Sequence, residues 1–312
     1  MSYSENIQQL QQFIIERENI RLRKEAGDPR PWTTDPILAA KSFCNVRRED
    51  DRGTKWLATN WRESHQDDPD FWFAAAVYRR GCNKERTAAA LGYPAPWTAE
   101  LGDRYEAAVE EHGYSKAYLL VVGGESKGMT LQHAIRSLVL DGLWKNRDYY
   151  RPVKGDTLAG FTRRLSKQEN PLLRMSSNFI GSFVAAQITA DVKFTPALRG
   201  ASDFSSFALP GPGSMRGLNR VFEFPLETKY GSPAQEREWL GMLHSIRLDL
   251  GFETKLSASD MQNCLCEYDK WMRFKTDPKA CNLRAYAPVR KSFLECFPNA
   301  IEITPDLEDQ GV

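Results

Sequence analysis

Two polar pairs stand where acid–base chemistry could be done. Gln187 and Asp191 lie four residues apart in the otherwise apolar run from Phe183 to Asp191, so on a helix they share one face. A carboxylate in such surroundings is paired or functional. Asp191 is thus the first candidate for a general base, the alternative being a helix-end carboxylate that caps the next loop or pairs with an arginine. Glu267 and Lys270, three apart after Asn263, form a second polar stripe. It would hold a substrate amine and carboxylate, or be a surface ion pair. Asn45, Arg47 and Arg48 follow an apolar helix end, where guanidinium forks suit a pyrophosphate unless they pair with Glu49 to Asp51. Asn60-Trp61-Arg62 offers an aromatic wedge or a core tryptophan.

The sharpest local pattern runs from Asp203 to Arg220, centred on Leu209-Pro-Gly-Pro-Gly213. Glycines at 211 and 213 let a backbone turn and approach a phosphate, while the helix that follows presents unpaired N–H groups at Gly211, Gly213 and Ser214 and its positive dipole end. Arg216 and Arg220, one helical turn apart, add charge on the same side. The plain alternative is a tight loop joining two helices. With Leu209, Pro210, Gly211, Pro212, Gly213 and Gly217, the pattern resembles the helix-hairpin-helix of endonuclease III-type DNA glycosylases. That resemblance implies binding to double-stranded DNA and base flipping. It departs where those enzymes carry their chemistry: Met215 occupies the position of the nucleophilic lysine and Pro233 that of the later aspartate.

These residues need helices to position them. Ile7, Leu10, Phe13, Ile14 and Ile20 recur at helical spacing, predicting an amphipathic helix over 5–25 that ends at Gly27-Asp-Pro-Arg-Pro31. Asp35-Pro36 predicts a helix to Cys44, and Asp68-Pro69 one that carries Phe71 to Val77 and closes at Gly81. Others are expected at 85–91, 98–112, 130–144, 156–168 and 176–191, then from the Ser232 and Ser257 caps to about Leu250 and Phe274. Strands are expected only at Tyr118–Val122 and Phe222–Leu226. The fold class is all-α: residues 1–26 as an N-terminal amphipathic helix, then 27–312 as one two-lobed helical body like the helix-hairpin-helix glycosylase fold, with the hairpin at 203–222.

The 312 residues are 41% hydrophobic, with 16 Phe, 11 Tyr and 8 Trp, enough to fill such a body. A net charge of +1 is low for a nucleic-acid binder unless Arg47-Arg48, Arg79-Arg80, Arg163-Arg164 and Arg216 with Arg220 gather on one face. No stretch approaches the roughly 20 apolar residues of a membrane span, and no signal core opens the chain, so a cytoplasmic protein is expected. The six cysteines match no zinc spacing, and His65, His112, His133 and His244 are isolated, so no metal is expected.

A wider set of segments resembles the alpha-glutamyl/putrescinyl thymine pyrophosphorylase-like family. It includes phage amino acid:DNA transferases and shares a helical domain with hydroxymethyl-deoxyuridine DNA kinases. The segments are Ile20 to Leu38, Phe43 to Asp51, Thr54 to Leu57, Phe183 to Asp191, the 203–220 hairpin and Leu265 to Lys270. The resemblance implies bacteriophage DNA hypermodification. The amine of an amino acid or polyamine attacks a pyrophosphorylated 5-hydroxymethyluracil in double-stranded DNA and expels pyrophosphate, with Asp191 or Glu267 serving deprotonation. No cofactor is implied, although the leaving group leaves room for Mg2+. The kinase step needs a phosphate loop, and Gly123 to Gly128 has neither the Walker spacing nor the Lys-Ser/Thr pair. A monofunctional glycosylase and a DNA-binding module without chemistry remain the alternatives.

Overall fold

The structure, a computed structural model, describes residues 2–115, 126–166, 180–252 and 255–279. In chain order its helices are α1 (Tyr3–Glu25), α2 (Pro36–Ala40), α3 (Arg52–Leu57), α4 (Phe71–Ala76), α5 (Glu85–Leu91), α6 (Ala99–His112) and α7 (Leu131–Ile135). They continue as α8 (Asp141–Lys145), α9 (Arg147–Tyr150), α10 (Leu158–Leu165), α11 (Ser182–Val192), α12 (Pro212–Val221), α13 (Pro233–Asp249) and α14 (Ala258–Thr276). Among the described residues there is no strand, in keeping with the all-α expectation. The strand expected at 118–122 lies outside them. The one expected at Phe222–Leu226 is a turn, because the Phe224 N–H returns to the Asn219 carbonyl and Glu223 takes φ 60°, which breaks an extended run.

The chain builds two compact units, residues 1–52 with 210–312, and residues 53–209. In the first, α1 is opened by Ser2 and Glu5, whose side chains each bond the other's backbone N–H. It buries Leu10, Phe13, Ile14 and Ile20 and packs on α12 and α14. Ser232 with Gln235 and Ser257 with Asp260 form the same reciprocal caps at α13 and α14, as their spacing predicts. The helix predicted from Asp35 to Cys44 stops at Ala40, since residues 43–48 are drawn out along α14.

The second unit is centred on α4, which is buried from Phe71 to Ala76 and passes into a π-helical turn at Val77–Cys82. Asn83 in the left-handed region closes it, two residues beyond the expected Gly81. Trp72, Phe73, Tyr78, Tyr105, Tyr150 and Phe161 fill the core around it. Two further π turns are Ala58–Arg62, which continues α3 where no helix is expected from the sequence, and Arg136–Leu140 after α7, which interrupts the helix expected over 130–144. The segment expected to give the hairpin its leading helix, from Asp203, is a set of turns instead. Asp203 spends its carboxylate on the first N–H groups of α10, Leu158 and Ala159. Trp61 is core, 4% exposed, and not a wedge.

Candidate functional site

Helices α12 and α14 pack so closely that Gly213 and Gly217, four apart on one face of α12, have no room for a side chain. A Cβ at Gly213 would lie 2.4 Å from Cys266 Sγ, and one at Gly217 2.1 Å from the Leu265 carbonyl oxygen. Gly211 is extended, at φ −113°, and a Cβ there would meet only ordinary contacts. The glycine pattern is therefore explained by helix packing at 213 and 217 more than by the turn. The bend itself is at the surface, with Pro212 exposed and Gly211 and Gly213 partly so. Ser214 is buried, its hydroxyl donating to Gly211 O while accepting from Gly211 N and Gln262 Nε2.

The close packing lets α12 deliver its two arginines to α14. Arg216 Nε is 2.8 Å and Arg220 Nε 3.0 Å from the two oxygens of Asp269, and Arg273 Nε stands 3.2 Å from the same carboxylate. Asp269 is fully buried, whereas the three arginine side chains keep 27%, 16% and 30% of their surface exposed. One buried anion thus gathers three guanidinium groups. Arg216, in the middle of α12, and Arg220, in its last turn, together carry more charge than the one carboxylate they share, an arrangement suited to an anion with several oxygens.

The other face of α14 holds residues 43–48. Asn263 Nδ2 donates to Asn45 O, Cys264 Sγ lies 3.6 Å from Val46 O, and Asp260 and Glu267 accept the backbone N–H groups of Arg48 and Cys44. Positions 260, 263, 264 and 267 are the i, i+3, i+4, i+7 face of one helix. Arg17 Nη2 takes the carbonyls of Phe43 and Cys44 from the opposite direction. The structure therefore lays residues 44–48 along α14, with Cys44 at Glu267, Asn45 at Asn263 and Arg48 at Asp260, two turns before Glu267. Glu267 is almost fully buried and bonds Lys270 Nζ at 2.5 Å, so the pair is not a surface one. Burial opposes the Lys270 charge, but the Glu267 carboxylate outweighs it and holds the ammonium above its usual range. Arg47 is half exposed and pairs with Glu18 at 2.9 Å, while Arg48 is buried.

Gln187 and Asp191 fall in the second unit. Both are buried, and both Asp191 oxygens are held by Arg79, at 2.6 and 2.7 Å, with Thr54 Oγ1 on the same guanidinium. Arg62 adds a bond to the Asp191 carbonyl. This is the arginine pairing that stood as the alternative to a free base. It also removes Arg79 and Arg80, 5% and 3% exposed, from the basic face expected of them. Arg164 is likewise paired, with Asp156.

Sequence reasoning missed Asp269, Arg273 and Asn219. The spacing of Asp269 and Arg273, i and i+4 on a capped helix, was the available signal. Among the described residues no group of His, Cys, Asp and Glu is arranged to hold a metal ion, and no helix is long and apolar enough to cross a membrane.

No solved structure matches the chain. The 5-hmdU DNA kinase of Bacillus phage SP10 is 26% identical over 238 residues, which is 67% of this chain and 35% of that protein. The chain therefore spans about a third of the length of the curated relative that it matches. Residues 4–280, from α1 through α14, match the family described as "5-hmdU DNA kinase, helical domain", and on that match this chain belongs to the family.

Proposed function

We propose that the protein is a phage-type DNA hypermodification enzyme that joins an amine to a pyrophosphorylated 5-hydroxymethyluracil in double-stranded DNA. The amine nitrogen bonds to the base's 5-methylene carbon, the carbon–oxygen bond to pyrophosphate breaks, and the nitrogen loses a proton. The observation that carries the reading is the cluster of Arg216, Arg220 and Arg273 on Asp269, in a chain whose family is defined by a domain of 5-hmdU DNA kinases. Charge that exceeds its anchor is suited to backbone phosphates, and Gly213 and Ser214 open the same helix, whose first turn is suited to a further phosphate, with Gly211 shaping the bend through its bonds with Ser214.

Glu267 and Lys270 come from the same helix as Asp269. Lys270, 29% exposed and held protonated, is suited to a pyrophosphate oxygen or an amino acid carboxylate, with Glu267 as the group that orients it. Asn45, held by Asn263, Arg47, on Glu18, and the buried Arg48, whose N–H is held by Asp260, order the segment of chain that Glu267 anchors at Cys44. In the second unit Asp191 and Gln187 act by positioning: with both oxygens on Arg79, Asp191 ties α11 to the π turn at Val77–Cys82 better than it could accept a proton.

The test is incubation with duplex DNA containing pyrophosphorylated 5-hydroxymethyluracil and a mixture of amino acids and polyamines, with and without Mg2+, followed by nucleoside mass spectrometry. A new amino-linked thymidine derivative is expected. Unchanged nucleosides would refute transfer, and abasic sites would assign base excision instead.

A further inference from the structure

Immediately after the arginines of α12, the chain makes a turn that displays apolar side chains to solvent on a rigid frame. Residues 223–227 are all exposed, and Phe224 and Leu226 keep 42% and 36% of their surface. Water does not favour such display, and a mobile loop would fold the ring away. This turn is fixed from inside. Phe224 N donates to Asn219 O, and buried Asn219 donates from Nδ2 to the carbonyls of Leu226 and Thr228 while its Oδ1 accepts from Tyr230 Oη. Asn6 of α1 bonds the carbonyls of Arg220 and Val221, which ends α12 just before the turn.

Inside this frame Glu223 is held at φ 60°, a left-handed conformation that residues with a side chain rarely adopt. The rings themselves form a ladder. Tyr3 and Phe222 have centroids 5.1 Å apart, and Phe222 and Phe224 lie 5.7 Å apart and within 16° of parallel. Phe224 is its outer rung. Two residues before the ladder begins, Arg220 enters the cluster on Asp269.

We infer that this ladder is a stacking step for a nucleobase of the bound DNA, with Phe224 the ring that meets the base. The occupant is identified by continuity along the chain: the ladder follows directly on α12, whose Arg216 and Arg220 share one carboxylate. A flat apolar face in succession to guanidinium charge fits a polymer that alternates flat bases with phosphates, with a base and not a phosphate at the turn, where the exposed Glu223 and Glu227 flank the ring. The inference rests on the DNA reading above and names a contact in it.

The experiment titrates the full chain with duplex DNA containing 2-aminopurine, reading anisotropy for affinity and 2-aminopurine emission for stacking, over a range of salt. For Phe224→Ala the expected result is an affinity about tenfold lower with an unchanged salt slope and loss of the emission change. Phe224→Trp should keep both. Arg216→Ala should instead lower the salt slope by about one. Thermal melts and sedimentation of each variant accompany the titrations. Phe224→Ala with wild-type affinity and emission, while the wild type binds DNA in a salt-dependent way, overturns the stacking step alone. A Phe224→Ala protein that loses self-association but not DNA affinity also overturns it. A wild type without salt-dependent binding overturns the DNA reading and the step together.

Discussion

Replacing Gly217 with alanine tests how α12 and α14 are joined. Ordinary contact begins near 3.4 Å and the new Cβ would lie 2.1 Å from Leu265 O, so the helices must separate by up to about 1.3 Å (3.4 − 2.1). The obstacle is backbone, with Leu265 C at 2.7 Å as well, so no rotamer change relieves it. Overpacking of this kind costs about 3 kcal/mol at the upper end of its usual range, and alanine's better helix propensity returns about 1. A net loss of about 2 kcal/mol corresponds to a fall of roughly 6 °C in Tm. Gly241→Ala is the matched control: it lies inside α13 with nothing within 4 Å of its Cβ and should gain about 0.5–1 kcal/mol. Gly213→Ala should fall between the two, because its nearest obstacle is the Cys266 side chain, and should recover in a Cys266→Ala background. Urea unfolding of the three glycine variants reads the order directly. A Gly217→Ala protein as stable as Gly241→Ala would refute the close-packing argument.

Asp269→Asn leaves three guanidinium groups around a neutral amide, and urea melts should show a loss of about 3 kcal/mol, whereas Arg273→Ala should cost less. The Arg164 side chain on Asp156 holds that carboxyl below its usual 3.8 despite partial burial, with help from the Val153 N–H. A depressed carboxyl stabilises the fold above its ordinary pKa and loses that contribution as pH falls through the folded value. The stability gap between wild type and Asp156→Asn should therefore be full at pH 6 and close as pH falls below about 4. Burial pushes the Cys82 thiol up to about 12 and Cys266 to about 11, so neither should be alkylated in the native protein at pH 8, as read by peptide mass spectrometry.

The helices were legible where a cap and a stripe agree. Ser232 with Gln235, Ser257 with Asp260 and the apolar spacing of 7, 10, 13, 14 and 20 are local signals, and each element formed where they pointed. The helix after Asp35 was overrun because its last residues are claimed by α14, through bonds between residues 218 and 223 positions apart. No window of sequence carries that information. The same holds for Asp191: its place on an apolar helix showed that it needed a partner, but not that Arg79 would supply both bonds from 112 residues away. Gly213 was read as a turn glycine and is needed instead for the close approach of α14, since the two look the same in a sequence. Asn219 gave no sign at all, because its value lies in three carbonyl and hydroxyl partners that the turn creates.

The chain leaves its first unit at Arg52 and does not return until Pro210. On a ribosome, α1 emerges with its apolar stripe of Leu10, Phe13 and Ile14 long before α12 and α14 exist to cover it. The intervening unit is contiguous in sequence, so it can build its core before Pro210 has been made. Closing the first unit then joins segments more than 200 residues apart, such as Asn6 to Val221, but across an insert that is itself compact. A slack chain of that length would lose more freedom on closure than this one does.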